Sequence, residues 1–580
     1  MGLTNREIAA IFEDIADMLL IKGENIHRVM AYRNAATSIR ELPRDLRMLA
    51  AGGQLESIPS VGKVIGEKIK ELLETGRLEF YDRLAAEIPP GVLEILRING
   101  VGPKRAYQFW KEAGITSIDA LAEAAAQGKL RAMSGMGVKS EAKILAGIEA
   151  LRRRSADART LLGVALPAAE MMLARLLEVP GVGKGAVAGS IRRARPTIGD
   201  IDLLVTAEDS SAVMDVFISM ESVARVLGHG PSKSSVELHN GLQVDLRVLP
   251  AERWGTALCY FTGNQAHNIH LRELARSQGL SLNEHAFTRL DDETVEILCE
   301  TEEAVYSQLG LSYVPPELRE DLGEIELAAE GKLPTLIELG DIAADLHMHT
   351  VWSDGKHSIR AMAEAARERG RRYIVITDHS RGAVIANGLS IDRLLEQQAE
   401  VRQIDAAMNG SIRIFHGTEM EIRADGTLDF PDEVLEQLDF VIASLHVSLG
   451  QPRPQITERL LNAINNPHVD LIGHPRGQLL LERDPADLDM DAIFSAAQTS
   501  GTALEINANP HRLDLEAQYA RRAAEFGIPL SINTDAHDIH ELDLMRFGVM
   551  TARRGWIEAH AVINTWPVER FTDWVKRRGT

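Results

Sequence analysis

At 580 residues the chain is too long for one hydrophobic core, and about three to five domains are expected. Its 45% apolar and 25% charged residues are ordinary for soluble globular protein, no apolar run nears the ~20 residues of a membrane span, and no signal-peptide pattern is present, so a cytosolic, membrane-free protein is expected. A net charge of −21 excludes a uniformly basic DNA-coating protein, yet residues 1–160 hold 24 Lys and Arg against 21 Asp and Glu, a net +3 that leaves −24 on the rest; DNA contact is expected in the N-terminal part and cation binding beyond it.

Residues 1–87 read as short amphipathic helices, with Ile8, Ile11, Ile15 and Leu19 at helical spacing. The stretch from Ile58 through Gly62 and Lys63 to Lys68 follows a helix-hairpin-helix pattern, in which a Gly turn opens the next helix. It recurs around Gly100, Gly102 and Lys104, and more loosely around Gly135, Gly137 and Lys139, within residues 88–158. Free N–H groups at such turns can grip a DNA phosphate without reading sequence. The first hairpin resembles the lyase domain of the DNA polymerase beta group. By that resemblance Lys68 falls where the family's Schiff-base lysine lies, Tyr32 matches a neighbouring family residue, and residues 88–158 are fingers. A lysine attacks an aldehyde only as the neutral amine, which burial or nearby cations would favour. Arg152–Arg154 and Arg159 read as a solvated helix end.

Residues 159–250 carry the first chemical signal. Gly189-Ser-Ile-Arg-Arg193 is a Gly turn, and after Gly199 the chain alternates, so Asp200 and Asp202 share one strand face while Ile201, Leu203 and Val205 take the other. Leu242, Val244, Leu246 and Val248 alternate with Asp245, the third carboxylate. Three converging carboxylates repel unless divalent cations neutralise them, and hard oxygen ligands suit Mg²⁺ or Mn²⁺, two of which can clamp a phosphoryl displacement. Ser190 and Arg193 are placed to hold outgoing phosphates. Pro180–Gly185 lacks a phosphate-loop ending and is expected to be a turn between helix and strand.

The Gly189-to-Arg193 turn, Gly-Asp-Ile-Asp and the later Asp245 resemble the palm of family X DNA polymerases. Tyr260-Phe261-Thr262-Gly263, in a thumb expected over 251–316, is similar to the family's sugar-contacting turn, with Asn264 where the family usually has Ser. Asn268 and Arg272 match family positions that contact the incoming nucleotide and the template minor groove. Cys259 and Cys299 have no Cys-x-x-Cys partner and are expected to be reduced apolar side chains. Pro315-Pro316 and an acidic stretch mark 317–340 as a linker without strand character.

Over 341–580, seven apolar strand candidates end near His349, Asp378, Glu419, His446, His474, Asn507 and Asp535, mostly separated by helical stretches. Such repetition argues for a parallel barrel with its site at the C-terminal strand ends. There lie His347, His349, Asp354, His379, Glu419, His446, His474, Asp535 and His537. Imidazole and carboxylate without thiolate fit two or three Zn²⁺, Mn²⁺ or Fe²⁺ ions, able to activate water and hold a phosphodiester in line. The pattern resembles the polymerase and histidinol phosphatase (PHP) domain, which implies that these nine residues ligate a trinuclear site in a distorted seven-stranded (β/α)7 barrel.

Together the resemblances imply a multidomain α/β protein: a helical helix-hairpin-helix region, an α+β nucleotidyltransferase palm with thumb, and the barrel. They identify it as a bacterial-type family X DNA polymerase with a C-terminal PHP domain, filling gaps in base excision repair and removing 3′-terminal nucleotides. Gapped or primer-template DNA and dNTPs are the implied partners of a monomer at the nucleoid, and opening of abasic sites or cleaning of blocked 3′ ends is a further implied activity. Two other readings are a small-molecule phosphatase fused to a DNA-binding module, and a gap-binding scaffold with an idle palm. The three hairpins argue against the first and the three intact carboxylates against the second.

Overall fold

The computed structural model describes residues 5–40, 46–58, 60–96, 98, 101–133, 135–137, 140–142, 144–145, 147–148, 159–292 and 294–578. Gly100, Lys139 and Arg152–Arg154, singled out above, lie outside the described residues. The chain divides into two compact units, Met1–Ala158 and Arg159–Thr580. Among the described residues no helix is long and apolar enough to cross a membrane.

The first unit is helical. The helix Asn5–Ile21 buries Ile8, Phe12, Ile15 and Leu19 along one stripe against Ile26–Arg40, and Ile11 sits at the stripe's edge. Three turns of like geometry then follow. Val61, Val101 and Met136 donate backbone bonds to Ile58, Ile98 and Met133, and the carbonyls of Gly62, Gly102 and Gly137 each accept from the residues three and four positions on, all at 2.9–3.1 Å.

The second unit opens with an α+β sheet of five strands. These are β2 (Val182–Val187), β4 (Asp200–Ala207), β5 (Val223–His229), β6 (Lys233–Leu238) and β7 (Gln243–Leu249), in the order β2-β4-β7-β6-β5. Only β4 and β7 run parallel; β1 (Thr160–Leu161) and β3 (Thr197–Ile198) pair beside them. Ile201, Leu203 and Val205 are fully buried against the helices Leu162–Leu177 and Ser211–Ile218. Each contributes roughly 1.5–3 kcal/mol, so a one-residue slip of β4 that turned Asp200 and Asp202 inward is strongly disfavoured. Pro180–Gly185 is only partly a turn: Gly181, at φ +89°, reverses the chain and β2 begins at Val182.

The thumb packs the helices Gln265–Ser277 and Glu302–Gln308 with the strands β8 (Leu280–Leu282), β9 (Phe287–Arg289) and β10 (Glu296–Ile297). Cys259 and Cys299 are buried free thiols in this core. The stretch 317–340 has no strand, but it is not a free tether. Leu318, Ile325, Ala328 and Leu336 join the thumb core, and acidic residues of the stretch are paired: Glu317 with Arg553, Glu320 with Arg193 and Arg554, Glu324 with His267.

The barrel strands are β11 (Ala344–Asp345), β12 (Tyr373–Ile376), β13 (Arg413–Glu421), β14 (Phe440–Ser444), β15 (Leu471–Gly473), β16 (Ala503–Asn507) and β17 (Leu530–Asn533), all parallel and in sequence order. The bridge Met348↔Ala536 closes the circle. Palm and barrel share a core, since Leu513 and Phe547 pack among the palm residues, and Pro510 stands where a Cβ on Gly163 would come within 2.4 Å.

Candidate metal centres

Helix-strand repetition places every C-terminal strand end at one mouth of the barrel, and there the nine residues meet. His349, Asp354, His379 and His537 form one group whose potential ligand atoms lie within 4.8 Å of one another; His347, His349, Glu419 and Asp535 form a second, and His379, Glu419 and His446 a third. His474 completes the set, its Nε2 2.9 Å from Glu419 Oε1. His349 Nε2 is 3.1 Å from Asp535 Oδ1, His446 Nε2 3.2 Å from Glu419 Oε1, and His537 Nε2 3.4 Å from Asp354 Oδ2. Ligand atoms about 2.1 Å from a common ion stand roughly 3–3.5 Å apart, so the donor set fits divalent cations. His347 Nε2 is buried without a hydrogen-bond partner among the described residues, and His379 Nδ1 and Glu419 Oε2 lie 2.9 Å apart without hydrogen-bond alignment, as two ligands of one ion would.

The electrostatics show the same demand for positive charge. Burial favours neutral imidazole, but Glu505, Asp535 and Glu419 push His347 well above its ordinary pKa, and Glu419 and Asp354 do so for His379. His446 and His537, also opposed by burial, are pushed up to about 9 by Glu419 and Asp354 respectively. His349, buried and facing His537 and His379, is held down to about 3. Against their burial, Glu419, Asp535 and Asp354 are held well below the carboxylate range. The backbone is strained here as well, with His474 at φ +27° and Asp535 at φ +55°.

Two carboxylates absent from the sequence reading orient this cluster. Glu505 accepts from His347 Nδ1 at 2.8 Å and Glu421 from His446 Nδ1 at 2.7 Å, which turns Nε2 of each ring toward the metal groups. Period-two alternation held the signal: Glu421 lies two residues after Glu419 on β13, and Glu505 with Asn507 occupies the one strand end that supplied no predicted ligand. His416 is buried against Gln397, His511 is partly buried near Glu482, and His540 is not buried.

In the palm, parallel pairing sets Asp202 opposite Asp245 and Asp200 opposite Gln243. Burial, then the charges of Asp200 and Asp245, push Asp202 up to about 6, so the trio resists full ionisation unless cations join it. Burial also opposes ionisation of Asp245, but Lys233 Nζ at 2.6 Å and Gln243 Nε2 at 2.9 Å outweigh it and hold the pKa low. Gly189, at φ +60°, lets the turn press on this site, since a Cβ there would fall 2.2 Å from Asp202 Oδ2. Ser190 Oγ is buried without a partner among the described residues.

Family models match along the chain: a helix-hairpin-helix domain over 3–78, a SAM-like helix-hairpin-helix tandem over 92–150, the DNA polymerase beta thumb over 257–320, and the PHP domain over 345–509. The DNA polymerase/3′-5′ exonuclease PolX of Bacillus subtilis strain 168 is 37% identical over 574 residues, 99% of either chain. The chain belongs to the PHP-bearing family X DNA polymerases. DNA polymerase lambda of Rattus norvegicus is 27% identical over 54% of this family X chain and 56% of its own. A probable phosphatase of Thermoanaerobacter sp. strain X514 is 28% identical over 41% of this chain and 96% of its own. The polymerase and PHP domains imply divalent metal ions.

Other predicted residues of the family X chain are held by protein groups. Arg193 donates from Nη1 to Thr262 O at 2.7 Å and pairs through Nε with Glu320 at 2.9 Å. Its neighbour Arg192 forks onto Glu302 at 2.6 and 2.8 Å, and the buried Arg319 closes on the same carboxylate. Tyr260 and Phe261 meet edge-on at 5.2 Å, with Arg247 over the Phe261 ring. Asn268 Nδ2 bonds the carbonyls of Tyr260 and Gly263, Asn264 caps the helix Gln265–Ser277, and Arg272 is exposed beside Asn268 O. Gly62 and Gly102 begin the helices Lys63–Thr75 and Pro103–Ala113 without a side-chain cap, Lys63 and Lys104 are exposed, and so are Gly135 and Gly137. Lys68 Nζ lies 4.4 Å over the Phe80 ring, with Arg28 and Arg83 also beside that ring and Tyr32 stacked on it. Burial first, then those guanidiniums, hold the Lys68 pKa below its ordinary value against the opposing charge of Glu71.

Proposed function

We propose that this chain fills short DNA gaps in base excision repair and shortens 3′ ends in its barrel. The observation that carries both halves is the occurrence, within one compact unit, of the palm carboxylate trio and the nine-residue barrel cluster. Asp200, Asp202 and Asp245 would hold Mg²⁺ or Mn²⁺, and the barrel residues two or three Mn²⁺, Zn²⁺ or Fe²⁺ ions. When bound, the ions neutralise phosphate charge and activate the attacking oxygen in each half. Asp245 stands nearest the primer 3′-OH in this reading. Ser190 Oγ, Arg193 and the N–H groups of the Gly189 turn orient the triphosphate, pyrophosphate being the leaving group. Tyr260, Phe261 and Gly263 shape the sugar site, with Asn268 and Arg272 beside the nucleotide and template. The turns at Gly62, Lys63, Gly100, Gly102, Lys104, Gly135 and Gly137 grip the DNA backbone. In the barrel, Glu505 and Glu421 keep His347 and His446 in the tautomer that presents Nε2. The chain acts as a cytoplasmic monomer at the nucleoid.

The guanidiniums of Arg28 and Arg83 near Lys68 favour a second activity, imine formation at an abasic-site aldehyde, because like charge and burial favour the neutral amine against the pull of the Phe80 ring. The deciding experiment incubates a one-nucleotide-gapped, end-labelled duplex with wild type, Asp202→Ala and His347→Ala, with Mn²⁺ and with or without dNTPs. Asp202→Ala should lose extension alone and His347→Ala shortening alone. Shortening that survives His347→Ala transfers support to the phosphatase reading, and extension that survives Asp202→Ala removes the palm trio from synthesis.

A further inference from the structure

One guanidinium at the barrel mouth has no place in the chemistry above. Arg512 Nε lies 3.7 Å from Asp535 Oδ2, beyond hydrogen-bond length, and Asp535 is its one ion-pair partner among the described residues. Asp535 is already engaged, at 3.1 Å from His349 Nε2 and 3.0 Å from Asn507 Nδ2. The Arg512 side chain is 18% exposed, so it lines the edge of the centre and does not extend into solvent.

Its loop is tightly held. Arg512 N donates to Asn509 O at 2.7 Å, Leu513 N to the same oxygen at 3.0 Å, and Gln478 Nε2 to Arg512 O at 2.8 Å. On either side of Arg512, Pro510 packs on Gly163 and Leu513 enters the palm core. The palm therefore fixes the backbone from which this arginine reaches the barrel site.

In the reading above, divalent cations already match the carboxylates of the cluster. A fixed guanidinium adds like charge there unless an anion bridges it and the ions. The planar fork of arginine suits two oxygens of one phosphate.

We propose that Arg512 is the phosphate-gripping residue of the barrel site, donating to non-bridging oxygens of the phosphodiester at the DNA 3′ end. The inference rests on the barrel being the shortening centre. Arg512 transfers no proton; its bonds strengthen as charge gathers on those oxygens.

The test compares full-length wild type, Arg512→Ala, Arg512→Lys and His347→Ala for 3′-end shortening with Mn²⁺, for gap extension, and for metal bound per chain. Arg512→Ala should keep its metal and its extension, lose about 10²-fold in kcat/KM for shortening, and regain activity when guanidinium ion is added. Arg512→Lys should fall between. Shortening that survives His347→Ala overturns the barrel reading on which the inference rests. If His347→Ala is inactive while Arg512→Ala stays within about threefold of wild type, Arg512 grips no phosphate. Loss of metal in step with activity, without guanidinium rescue, overturns the proposal too, because Arg512 would then only support Asp535.

Discussion

Glu302 joins the palm turn to the thumb, and replacing it tests whether that joint is electrostatic. The carboxylate receives both Nη atoms of Arg192 at 2.6 and 2.8 Å and pairs with Arg319, which is fully buried. Burial raises its pKa, but the two guanidiniums overcome this and bring it from 4.5 down to about 2. That difference corresponds to roughly 3 kcal/mol at neutral pH, in line with the ~3–5 kcal/mol lost when one partner of a buried pair is removed. Because the folded value is depressed, the contribution is complete above the unfolded pKa and fades as pH falls from about 4.5 toward 2. Glu302→Gln should therefore lower the urea midpoint and the Tm, the latter by about 5 °C at pH 7. The gap to wild type should narrow as pH falls below about 5. A loss under ~1 kcal/mol at pH 7, or a gap constant with pH, would refute the electrostatic account.

Three further outcomes follow from the same geometry. Glu505→Gln removes the carboxylate that fixes the His347 tautomer and should weaken metal binding by the barrel about 10–100-fold in a chelator competition, with gap extension unchanged. Gly189→Ala would place Cβ 2.2 Å from Asp202 Oδ2 in a left-handed backbone, so primer extension should fall steeply while shortening persists. Lys68→Arg keeps a cation over Phe80 but cannot form an imine; borohydride trapping on abasic DNA should vanish while extension stays within about twofold of wild type.

What was legible in the sequence is what repeats locally. Period-two alternation placed Asp200 and Asp202 on one face and Asp245 on another strand, and β4 and β7 are indeed neighbours. Strand-helix repetition announced the barrel, and its ligating residue types, each at a strand end, gather at one mouth. Pairing across long separations was not legible. Arg193 pairs through Nε with Glu320 and Arg192 with Glu302, more than a hundred residues away, and nothing in a Gly-Ser-x-Arg-Arg turn names those partners. For the same reason 317–340 read as a linker: its acidic residues suggest solvent until their arginines and histidine are known. Glu505 escaped notice because a carboxylate beside Asn507 has no meaning until His347, 158 residues earlier, is seen against it.

The side chains that palm and barrel hold in common, Leu513 and Phe547, remove one way of passing DNA between synthesis and removal. Two modules that bury residues in each other cannot swing apart on a hinge without exposing them, so the strand must travel while palm and barrel keep their places relative to each other. A primer terminus would reach the barrel by unpairing or by rebinding, at a rate set by its own base pairing. A mispaired end frays sooner than a matched one and would visit the barrel more often. Preference for removing errors would then arise from the stability of the duplex, with no side chain needed to recognise the mismatch.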